Sequence, residues 1–553
     1  MPSGKEGDKS LKGLPWFKTS ILYELYVRAF KDSDGDGHGD LKGVIEKLDY
    51  IASLGIDVIW LLPISPSPLR DDGYDVTDYY DIHEQYGTLE DFKLLIREAH
   101  KRKLKVITDL VMNHTSSDHP WFQSSRRGPD QPKGNWYVWS DDPERYSGTR
   151  VIFTDTESSN WSFDPLRKQY YWHRFFSHQP DLNFDNSEVR REMKRVVRFW
   201  LELGIDGFRF DAIPYLFERE GTNNENLSET HAFLRELRAY IDELKPDAFL
   251  LGEVNQWPED TVPYFGTGTD EIPLLFHFPV MPRLFKAVAE GVRDSVEWIL
   301  ERTPDIPKPC QWVIFLRNHD ELTLEMVTPE ERNFLYQTYA PEPRMRLNLG
   351  IRRRLAPLLG NDMRKIKLMN SLLLTLPGTP ILYYGDEIGM GDHIWLDDRN
   401  GVRTPMQWQE TENAGFSTAE ELFAPVVDDA VYGYRHRNVD VQERDPESLL
   451  HWMRTAIRTR RRHPSLGAGS FELMTPANRA ILAFIRELSS DRLLAIHNLS
   501  GAAQQFDLDL ERFESRPITD AFSQRRVGSG QHRTEFELEP YGFSWFALEG
   551  DER

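Results

Sequence analysis

Eight short apolar stretches that alternate with helical stretches constrain the fold of this chain more than any other sequence feature. Runs rich in β-branched, aromatic and aliphatic residues predict strands, and polar–apolar repeats of helical period separate several of them. Eight such units predict a (β/α)₈ barrel of the α/β class, with a doubly wound open sheet as the competing architecture. The predicted strands cover residues 21–30, 57–64, 105–112, 207–212, 248–254, 273–279, 312–318 and 381–388, and the clearest predicted helices cover 41–54, 89–103, 188–203 and 229–244.

The uneven spacing of the strands predicts additional domains. Residues 114–185, between the third and fourth strands, are rich in Ser, Gly, Pro, Asp and Trp and predict a small domain inserted over the barrel mouth. Alternating short strands predict a C-terminal antiparallel β-sandwich over residues 466–553. The catalytic barrel is then expected to comprise residues 1–113 and 186–465, with a further insertion near 322–357 after the seventh strand.

The charge balance argues against a nucleic-acid partner. Asp and Glu total 89 and Lys and Arg total 67, for a formal charge of −22, and no basic run offers a phosphate-binding face. No apolar stretch approaches the roughly 18 uninterrupted residues of a membrane span, and the polar N-terminus lacks the apolar region of a secretory signal. The single cysteine, Cys310, suits a reducing compartment. We expect a cytoplasmic protein without membrane partners. The sequence does not distinguish a monomer from a homo-oligomer.

Acidic side chains follow four of the predicted strands at the same end of the barrel. These are Asp109, Asp211, Glu253 and Asp320. Barrel enzymes carry their chemistry at the carboxyl ends of the strands. A lone buried charge is costly, so four acids at one mouth favour a functional site over four separate caps or salt bridges. The basic side chains beside them are His114, Arg209 and His319.

Paired carboxylates in such a pocket predict glycosidic bond cleavage. Arg209 lies two residues before Asp211, so both side chains face the barrel interior, and the cation favours an ionised, nucleophilic Asp211. Glu253 has no basic residue beside it in sequence and is the better acid/base candidate. Asp320 is expected to bind sugar hydroxyls. A zinc site is not predicted, because no HExxH segment or cysteine pair accompanies the histidines.

These segments resemble the signature segments of the α-amylase superfamily, glycoside hydrolase family 13. The matches, in chain order, are 109–114 (DLVMNH), 179–183 (QPDLN), 207–211 (GFRFD), 252–253 (GE), 318–320 (NHD) and 385–389 (GDEIG). The resemblance spans essentially the whole chain and implies a retaining double displacement through a covalent glucosyl-enzyme. It implies that Asp211 is the nucleophile, Glu253 the acid/base and Asp320 the transition-state stabiliser. It also implies a glucose subsite lined by Asp71, Tyr74, His114, Gln179, Arg209, His319 and Arg399, with Arg403 as the alternative to Arg399.

Other segments narrow the resemblance to one branch of the superfamily. Residues 71–75 (DDGYD) and 403–408 (RTPMQW) resemble exo-acting α-glucosidases and sugar isomerases, and 209–216, 252–257, 318–325 and 348–361 resemble members that interconvert maltose and trehalose. Hydrolytic relatives usually carry Val or Thr where this chain has Ala212. The resemblance implies an isomerase that acts on maltose and α,α-trehalose with minor hydrolysis to glucose. A hydrolytic exo-acting α-glucosidase is the alternative, and a non-catalytic partner protein is a remote one.

An isomerase of this kind must exclude water while the released glucose turns in the pocket. Polar residues just beyond the catalytic strand ends and in the inserted domain are therefore predicted to form a lid. They are Arg150, Tyr215, Asn255, Glu321 and Glu325. The alternative for Glu321 and Glu325 is an ordinary solvated pair four residues apart.

Two structural calcium sites are expected, and no organic cofactor. Residues 32–40 (DSDGDGHGD) place oxygens at alternate positions, which suits Ca²⁺, although Gly43 stands where an EF-hand loop has its bidentate Glu. The resemblance implies ligation there by Asp32, Asp34, Asp36 and Asp40 and by the carbonyl of His38. It implies a second site between barrel and inserted domain, formed by Asn113, Asp181 and Glu218 with the carbonyls of Tyr215 and Leu216.

Overall fold

The computed structural model describes residues 13–548, and the first twelve and last five residues lie outside that range. Eight parallel strands close into a barrel in which each strand pairs with its neighbours in chain order, and the last pairs with the first. The (β/α)₈ prediction is therefore confirmed, and the open-sheet alternative is wrong. The barrel strands are Leu22–Leu25, Val58–Leu61, Lys105–Val111, Gly207–Asp211, Phe249–Gly252, Leu274–Phe276, Gln311–Phe315 and Thr379–Tyr383.

The barrel strands read as apolar runs because helices cover their outer faces and packed side chains fill the interior. Seven of the eight are buried at every position, and the third strand is buried at all but its first residue. Most are shorter than predicted. The apolar run 21–30, for example, divides into the strand Leu22–Leu25 and a helical turn, Val27–Phe30, since pairing with the second strand ends at Leu25.

The helices begin where the sequence supplies capping side chains. Thr88 and Asp91 form a capping box at the start of Leu89–Lys101, and Asn186 caps Ser187–Glu202. The helix predicted over 41–54 is interrupted at Lys47, whose backbone leaves helical geometry at φ −103° and ψ 5°. The longer helices are Leu89–Lys101, Ser187–Glu202, Ser228–Leu244, Val280–Glu290, Asp294–Arg302, Pro329–Tyr339, Met363–Thr375 and Leu449–Arg462. The shorter ones are Val27–Phe30, Leu41–Glu46, Leu48–Leu54, Pro120–Ser125, Pro258–Thr261, Leu355–Leu358, Val439–Arg444 and Ser465–Ala468.

Two insertions cover the carboxyl ends of the strands. The one after the third strand carries a small antiparallel sheet in the order Trp139–Ser140, Gln169–Trp172, Trp161–Asp164. The one after the seventh strand carries another in the order Leu322–Thr323, Gly350–Ile351, Arg346–Leu347, next to the helix Pro329–Tyr339. Both predicted insertions thus lie over the barrel mouth, where side chains from each can reach the other.

The C-terminal region forms the predicted antiparallel sandwich around a separate apolar core. Its strands are Ser470–Met474, Ile481–Leu488, Asp491–Asn498, Gln504–Leu508, Pro517–Asp520, Arg526–Ser529, Thr534–Leu538 and Phe543–Leu548. The sequence analysis does not predict the three from Gln504 to Ser529, which are four or five residues long and have at most two buried apolar residues each. Within residues 13–548, no helix is both long enough and apolar enough to cross a bilayer.

Candidate active site

Arg209 joins three acids from three adjacent barrel strands. It is 2% exposed, and its Nη1 donates to Asp109 and, at 2.6 Å, to Oδ1 of Asp211. Its Nη2 lies 2.8 Å from Oε1 of Glu253. Glu253 has no basic residue beside it in sequence, but the neighbouring strand supplies Arg209 in space. One guanidinium organises both carboxylates assigned to the chemistry.

Burial and Arg209 act in opposite directions on these two acids. Burial raises the pKa of Glu253 to about 7, while Arg209 opposes the rise. Burial also raises the pKa of Asp211, again against the pull of Arg209, which bonds it directly. A carboxyl with a pKa near 7 holds a proton for part of the time at neutral pH. Glu253 can therefore donate a proton, as a general acid must.

Ala212, directly after Asp211, holds a left-handed backbone conformation with φ 50° and ψ 38°. In that conformation its N–H donates to Oε2 of Glu253 at 3.1 Å. The left-handed region is unfavourable for any residue with a Cβ and most of all for β-branched residues. A β-branched residue would be more strained than Ala212 in the conformation that turns the backbone toward Glu253.

Asp320 is surrounded by cations at the end of the seventh strand. Its Oδ2 lies 3.0 Å from Nε2 of His319, and its Oδ1 accepts from Arg399 at 2.9 Å and from Arg403 at 3.1 Å. Burial opposes ionisation, but His319 and the two arginines hold the pKa of Asp320 well below its usual range. Asp320 is therefore a fixed negative charge beside Asp211 and Glu253.

Five of the seven residues that the resemblance assigned to the glucose subsite line the cavity beside the acids, whereas Arg209 and His319 lie behind the lining residues and do not. Asp71 accepts from Gln179 at 2.8 Å and from Arg399 at 2.8 Å, so one carboxylate orients two donors. Nε2 of His114 has no hydrogen-bond partner among residues 13–548, and burial lowers the pKa of His114 to about 3. A neutral imidazole with a free nitrogen suits a sugar hydroxyl. Tyr74 also lines the cavity.

Arg399 lies in the wall of the cavity, and Arg403 lies behind it. Arg399 lines the cavity and bridges Asp71 to Asp320. Arg403 also reaches Asp320, but it donates in addition to Asp72 and to the backbone carbonyl of His319. This arrangement supports Arg399 as the residue that faces the sugar and Arg403 as a supporting cation behind it.

The five predicted lid residues converge over the cavity. Arg150 of the inserted domain donates to Glu325 at 2.5 Å, to Tyr215 at 3.4 Å and to Glu225 at 3.0 Å. Glu321 accepts from Asn348 at 3.1 Å, and Asn255 donates to Thr323 at 3.4 Å. The alternative of a solvated Glu321–Glu325 pair is therefore wrong, because each glutamate has its own partner. Tyr215, Asn255, Glu321 and Glu325 line the cavity, and Arg150 ties Tyr215 and Glu325 to the inserted domain.

Several residues of the site escaped the sequence analysis, among them the apolar lining residues Ile152, Phe153, Phe175 and Phe278 and three polar residues. Glu24, in the first strand, contacts His319, and its signal was a single acid inside an apolar run. Glu225 accepts from both Arg150 and Arg174, and nothing in its local sequence distinguishes it. Asn348 lines the cavity from the second insertion. It lies in a long loop, whose sequence does not predict where its side chains point.

The first calcium candidate is only partly assembled as predicted. Carboxylate oxygens of Asp32, Asp34 and Asp40 lie within 4.8 Å of one another, which fits a hard cation. Asp36 does not belong to that group, and its Oδ1 instead accepts the backbone N–H of His38 at 2.8 Å. Nδ1 of His38 accepts from Arg28 at 3.1 Å and its Nε2 lies 3.2 Å from Nε2 of Gln85, so the carbonyl of His38 is the atom left to act as a ligand.

The second calcium candidate brings together two buried acids, whose charge Arg174 and Arg219 offset only in part. Asp181 is 0% exposed and Glu218 is 7% exposed. Asp181 Oδ2 and Glu218 Oε1 have no hydrogen-bond partner in the described part of the chain. Burial and the neighbouring carboxylate raise the pKa of Glu218, and burial raises the pKa of Asp181 to about 8 despite a hydrogen bond from Asn113. Such a donor set fits a divalent ion. Tyr215 and Leu216 are buried close by in sequence.

Comparisons with known proteins agree with this geometry. The α-amylase catalytic domain family matches residues 24–338 and 352–469, and the maltogenic amylase C-terminal domain family matches residues 471–545. "Trehalose synthase/amylase TreS" of Mycobacterium tuberculosis H37Rv is 55% identical over 544 residues, which cover 96% of this chain and 90% of the relative. "Trehalose synthase" of Pimelobacter sp. R48 is 52% identical, with 96% of each chain covered.

Solved structures show the same fold over nearly the whole chain. The crystal structure of trehalulose synthase MutB from Pseudomonas mesoacidophila MX-45 is 27% identical and superposes with a TM-score of 0.79. The match covers 97% of this chain and 100% of that structure. The chain belongs to the α-amylase family and, within it, to the trehalose synthase group of enzymes.

Proposed function

We propose that this enzyme interconverts maltose and α,α-trehalose by moving a glucosyl unit from one hydroxyl of the released glucose to another. The observation that carries the proposal is an ion pair that spans the mouth of the site. Arg150 of one insertion bonds Glu325 of the other, directly above a cavity lined by Asp211 and Glu253. A hydrolase needs water at the anomeric carbon, whereas an isomerase needs water kept out. Relatives named trehalose synthase support the choice of sugars.

The first half of the reaction breaks the bond between the two glucoses. Asp211 attacks the anomeric carbon of the non-reducing glucose, and Glu253 gives its proton to the departing 4-oxygen of the second glucose. A covalent glucosyl-enzyme forms with inversion. The positive charge that develops on the sugar ring lies beside Asp320, and Arg209 holds both reacting carboxylates in place.

The second half re-forms a bond through a different hydroxyl. The free glucose turns beneath the lid until its anomeric hydroxyl faces the glucosyl-enzyme. Glu253, now ionised, takes the proton of that hydroxyl as its oxygen attacks, and Asp211 leaves with a second inversion. The result is an α,α-linkage. Water that enters instead releases glucose, which is the proposed minor hydrolysis.

Product analysis tests the proposal directly. Maltose incubated with the enzyme is expected to yield trehalose with little free glucose, and trehalose is expected to yield maltose. Glucose as the only product would support the hydrolytic alternative. That alternative has a named relative, an oligo-1,6-glucosidase that is 31% identical over 547 residues. Asp211→Asn, which keeps the side-chain volume and removes the nucleophilic charge, should abolish both reactions.

We further propose that Ca²⁺ stabilises the fold at the two acidic groups. Asp32, Asp34 and Asp40, with the His38 carbonyl, would hold one ion. Asn113, Asp181 and Glu218, with the carbonyls of Tyr215 and Leu216, would hold the other. When bound, each ion would neutralise clustered carboxylates and join loops, without taking part in bond breaking. Exhaustive chelation should then lower the melting temperature.

We also propose that the enzyme acts on small sugars in the cytoplasm without a nucleic-acid or membrane partner. A buried, unpaired Cys310 suits a reducing compartment. The net charge of −22 opposes binding to phosphate backbones. Cell fractionation with an antibody against the chain tests the compartment.

A further inference from the structure

Glu24 is a buried acid in the middle of the first barrel strand. It is 0% exposed, and its Oε1 accepts from the backbone N–H of His319 at 3.1 Å and lies 2.6 Å from Nδ1 of the same residue. Its Oε2 has no hydrogen-bond partner among residues 13–548. An ionised carboxylate in such surroundings is costly unless a cation compensates it. The side chain placed to do so is His319.

The other ring nitrogen of His319 faces a second carboxylate. Nε2 lies 3.0 Å from Oδ2 of Asp320 and 2.8 Å from the hydroxyl of Tyr74, whose ring stacks on the imidazole. A neutral imidazole donates from only one nitrogen, whereas an imidazolium donates from both. An imidazole held between two carboxylate oxygens is therefore stabilised as the cation.

The remaining charged groups around His319 do not cancel this effect. Asp109, from the third strand, adds a further negative charge, whereas Arg403 donates to the His319 carbonyl at 2.8 Å. Burial lowers the pKa of His319, but Asp320 and Glu24 raise it to about 9. The geometry and the charge balance thus both favour the protonated, cationic form of His319.

We propose that Glu24 is a positioning residue that holds the His319 imidazolium against Asp320. Through His319 it keeps Asp320 charged and oriented in the glucose subsite. The inference rests on the proposed function only in that the site transfers a glucosyl unit, and it does not depend on which hydroxyl accepts that unit. When the negative charge at Glu24 is removed, His319 should lose its proton at lower pH, and the neutral ring can no longer donate to both neighbours.

The test is the pH dependence of kcat/KM for a dinitrophenyl α-glucoside in Glu24→Gln. Dinitrophenolate leaves without a proton, so the titration of Glu253 does not limit this reaction at alkaline pH. The wild-type enzyme is expected to lose activity with a midpoint near 9, where His319 deprotonates. In Glu24→Gln, which keeps the volume and one oxygen acceptor, the midpoint should fall by about one pH unit or more.

Glu387→Gln is the matched control. Glu387 is equally buried, and its Oε1 accepts from the hydroxyls of Tyr23 at 2.8 Å and Tyr50 at 2.6 Å. It does not line the sugar cavity. Loss of its charge should leave the alkaline midpoint at the wild-type value. A shift of the same size in both variants would show a general effect of buried charge and would overturn the proposal.

His319→Gln separates the proposal from a folding defect in Glu24→Gln. This variant should lack the alkaline limb near 9 altogether. A limb that persists in His319→Gln, or a wild-type midpoint in Glu24→Gln, would overturn the proposal. If maltose yields only glucose while the predicted shift appears with the aryl glucoside, the proposed isomerase activity fails and the role of Glu24 stands.

Discussion

Arg150 and Glu325 come from two different insertions, yet their side chains meet at 2.5 Å over the cavity. The ion pair joins the two insertions over the cavity. Glu225 holds the other side of the guanidinium at 3.0 Å. We expect the pair to limit how readily water reaches the reacting sugar.

Arg150→Ala should raise the fraction of maltose that is converted to free glucose. Without the guanidinium the two insertions lose one of the contacts that join them and keep the bond from the Asn348 N–H to Asp155 at 2.7 Å, so water can compete better with the bound glucose. The measurement is the ratio of glucose to trehalose by chromatography. Arg302→Ala is the control, because Arg302 forms an ion pair with Glu259, also at 2.5 Å, and has similar exposure away from the cavity. Equal product ratios in wild type and Arg150→Ala would remove the pair from the lid.

Tyr215→Phe and Asn255→Ala should also raise the glucose fraction. Tyr215 lines the cavity and its hydroxyl contacts Arg150 at 3.4 Å, while Asn255 contacts Thr323 at 3.4 Å. Each change removes one polar contact of the lid and leaves the catalytic carboxylates in place. Product ratios that do not move in either variant would exclude these residues from the lid.

The rate of maltose conversion should fall as the pH rises through about 7. Burial raises the pKa of Glu253 to about 7, and the protonated form is the one that can assist the leaving oxygen. Activity is therefore present below this pH and lost above it. Glu253→Gln should abolish maltose conversion but retain the first step with a dinitrophenyl glucoside, seen as a burst of dinitrophenolate. A wild-type rate that stays constant from pH 6 to 9 would contradict this assignment.

Ala212→Val should destabilise the protein by about 1–2 kcal/mol, because a β-branched residue is strained in the left-handed region. Ala212 occupies that region at φ 50°. Urea denaturation measures the change in the free energy of unfolding. Ala212→Gly is the control, since glycine adopts this conformation without strain and should retain near wild-type stability. Equal stability of the Val and wild-type proteins would show that the backbone relaxes.

Asp181→Asn should lower the sensitivity of the melting temperature to chelation. Asp181 and Glu218 are buried together, each with an unpaired oxygen. If an ion neutralises the two carboxylates, its removal by a chelator leaves them to repel each other, and the wild-type protein is destabilised. The variant has one carboxylate fewer, so this repulsion is weaker. Scanning calorimetry with and without chelator measures both shifts. A wild-type melting temperature that chelation does not change would argue against bound calcium.

The sequence predicted the barrel and the strand ends because both are local features. An apolar run followed by an acid identifies a strand and the side chain at its end, as for Asp211 and Glu253. The contact between Arg209 and Glu253 crosses from one strand to the next, so no local pattern contains it. Glu24 was missed for the same reason, since its partner His319 is 295 residues away.

The polar strands of the sandwich and the ligand sets were harder to predict. Arg526–Ser529 has three exposed residues. Its pairing with Pro517–Asp520, and not its own sequence, makes it a strand. Asp36 has the spacing of a ligand, but the turn directs its carboxylate to the backbone of His38. Spacing specifies which oxygens are near in sequence, and the backbone of the loop decides which of them converge.

The most direct test of the central claim is the product mixture formed from maltose in the presence of isotopically labelled free glucose. If the released glucose stays under the lid, most of the trehalose will be unlabelled and little glucose will accumulate. Glucose formed without trehalose would contradict the proposed isomerisation. Trehalose that carries the label in proportion to the free glucose would contradict the closed site.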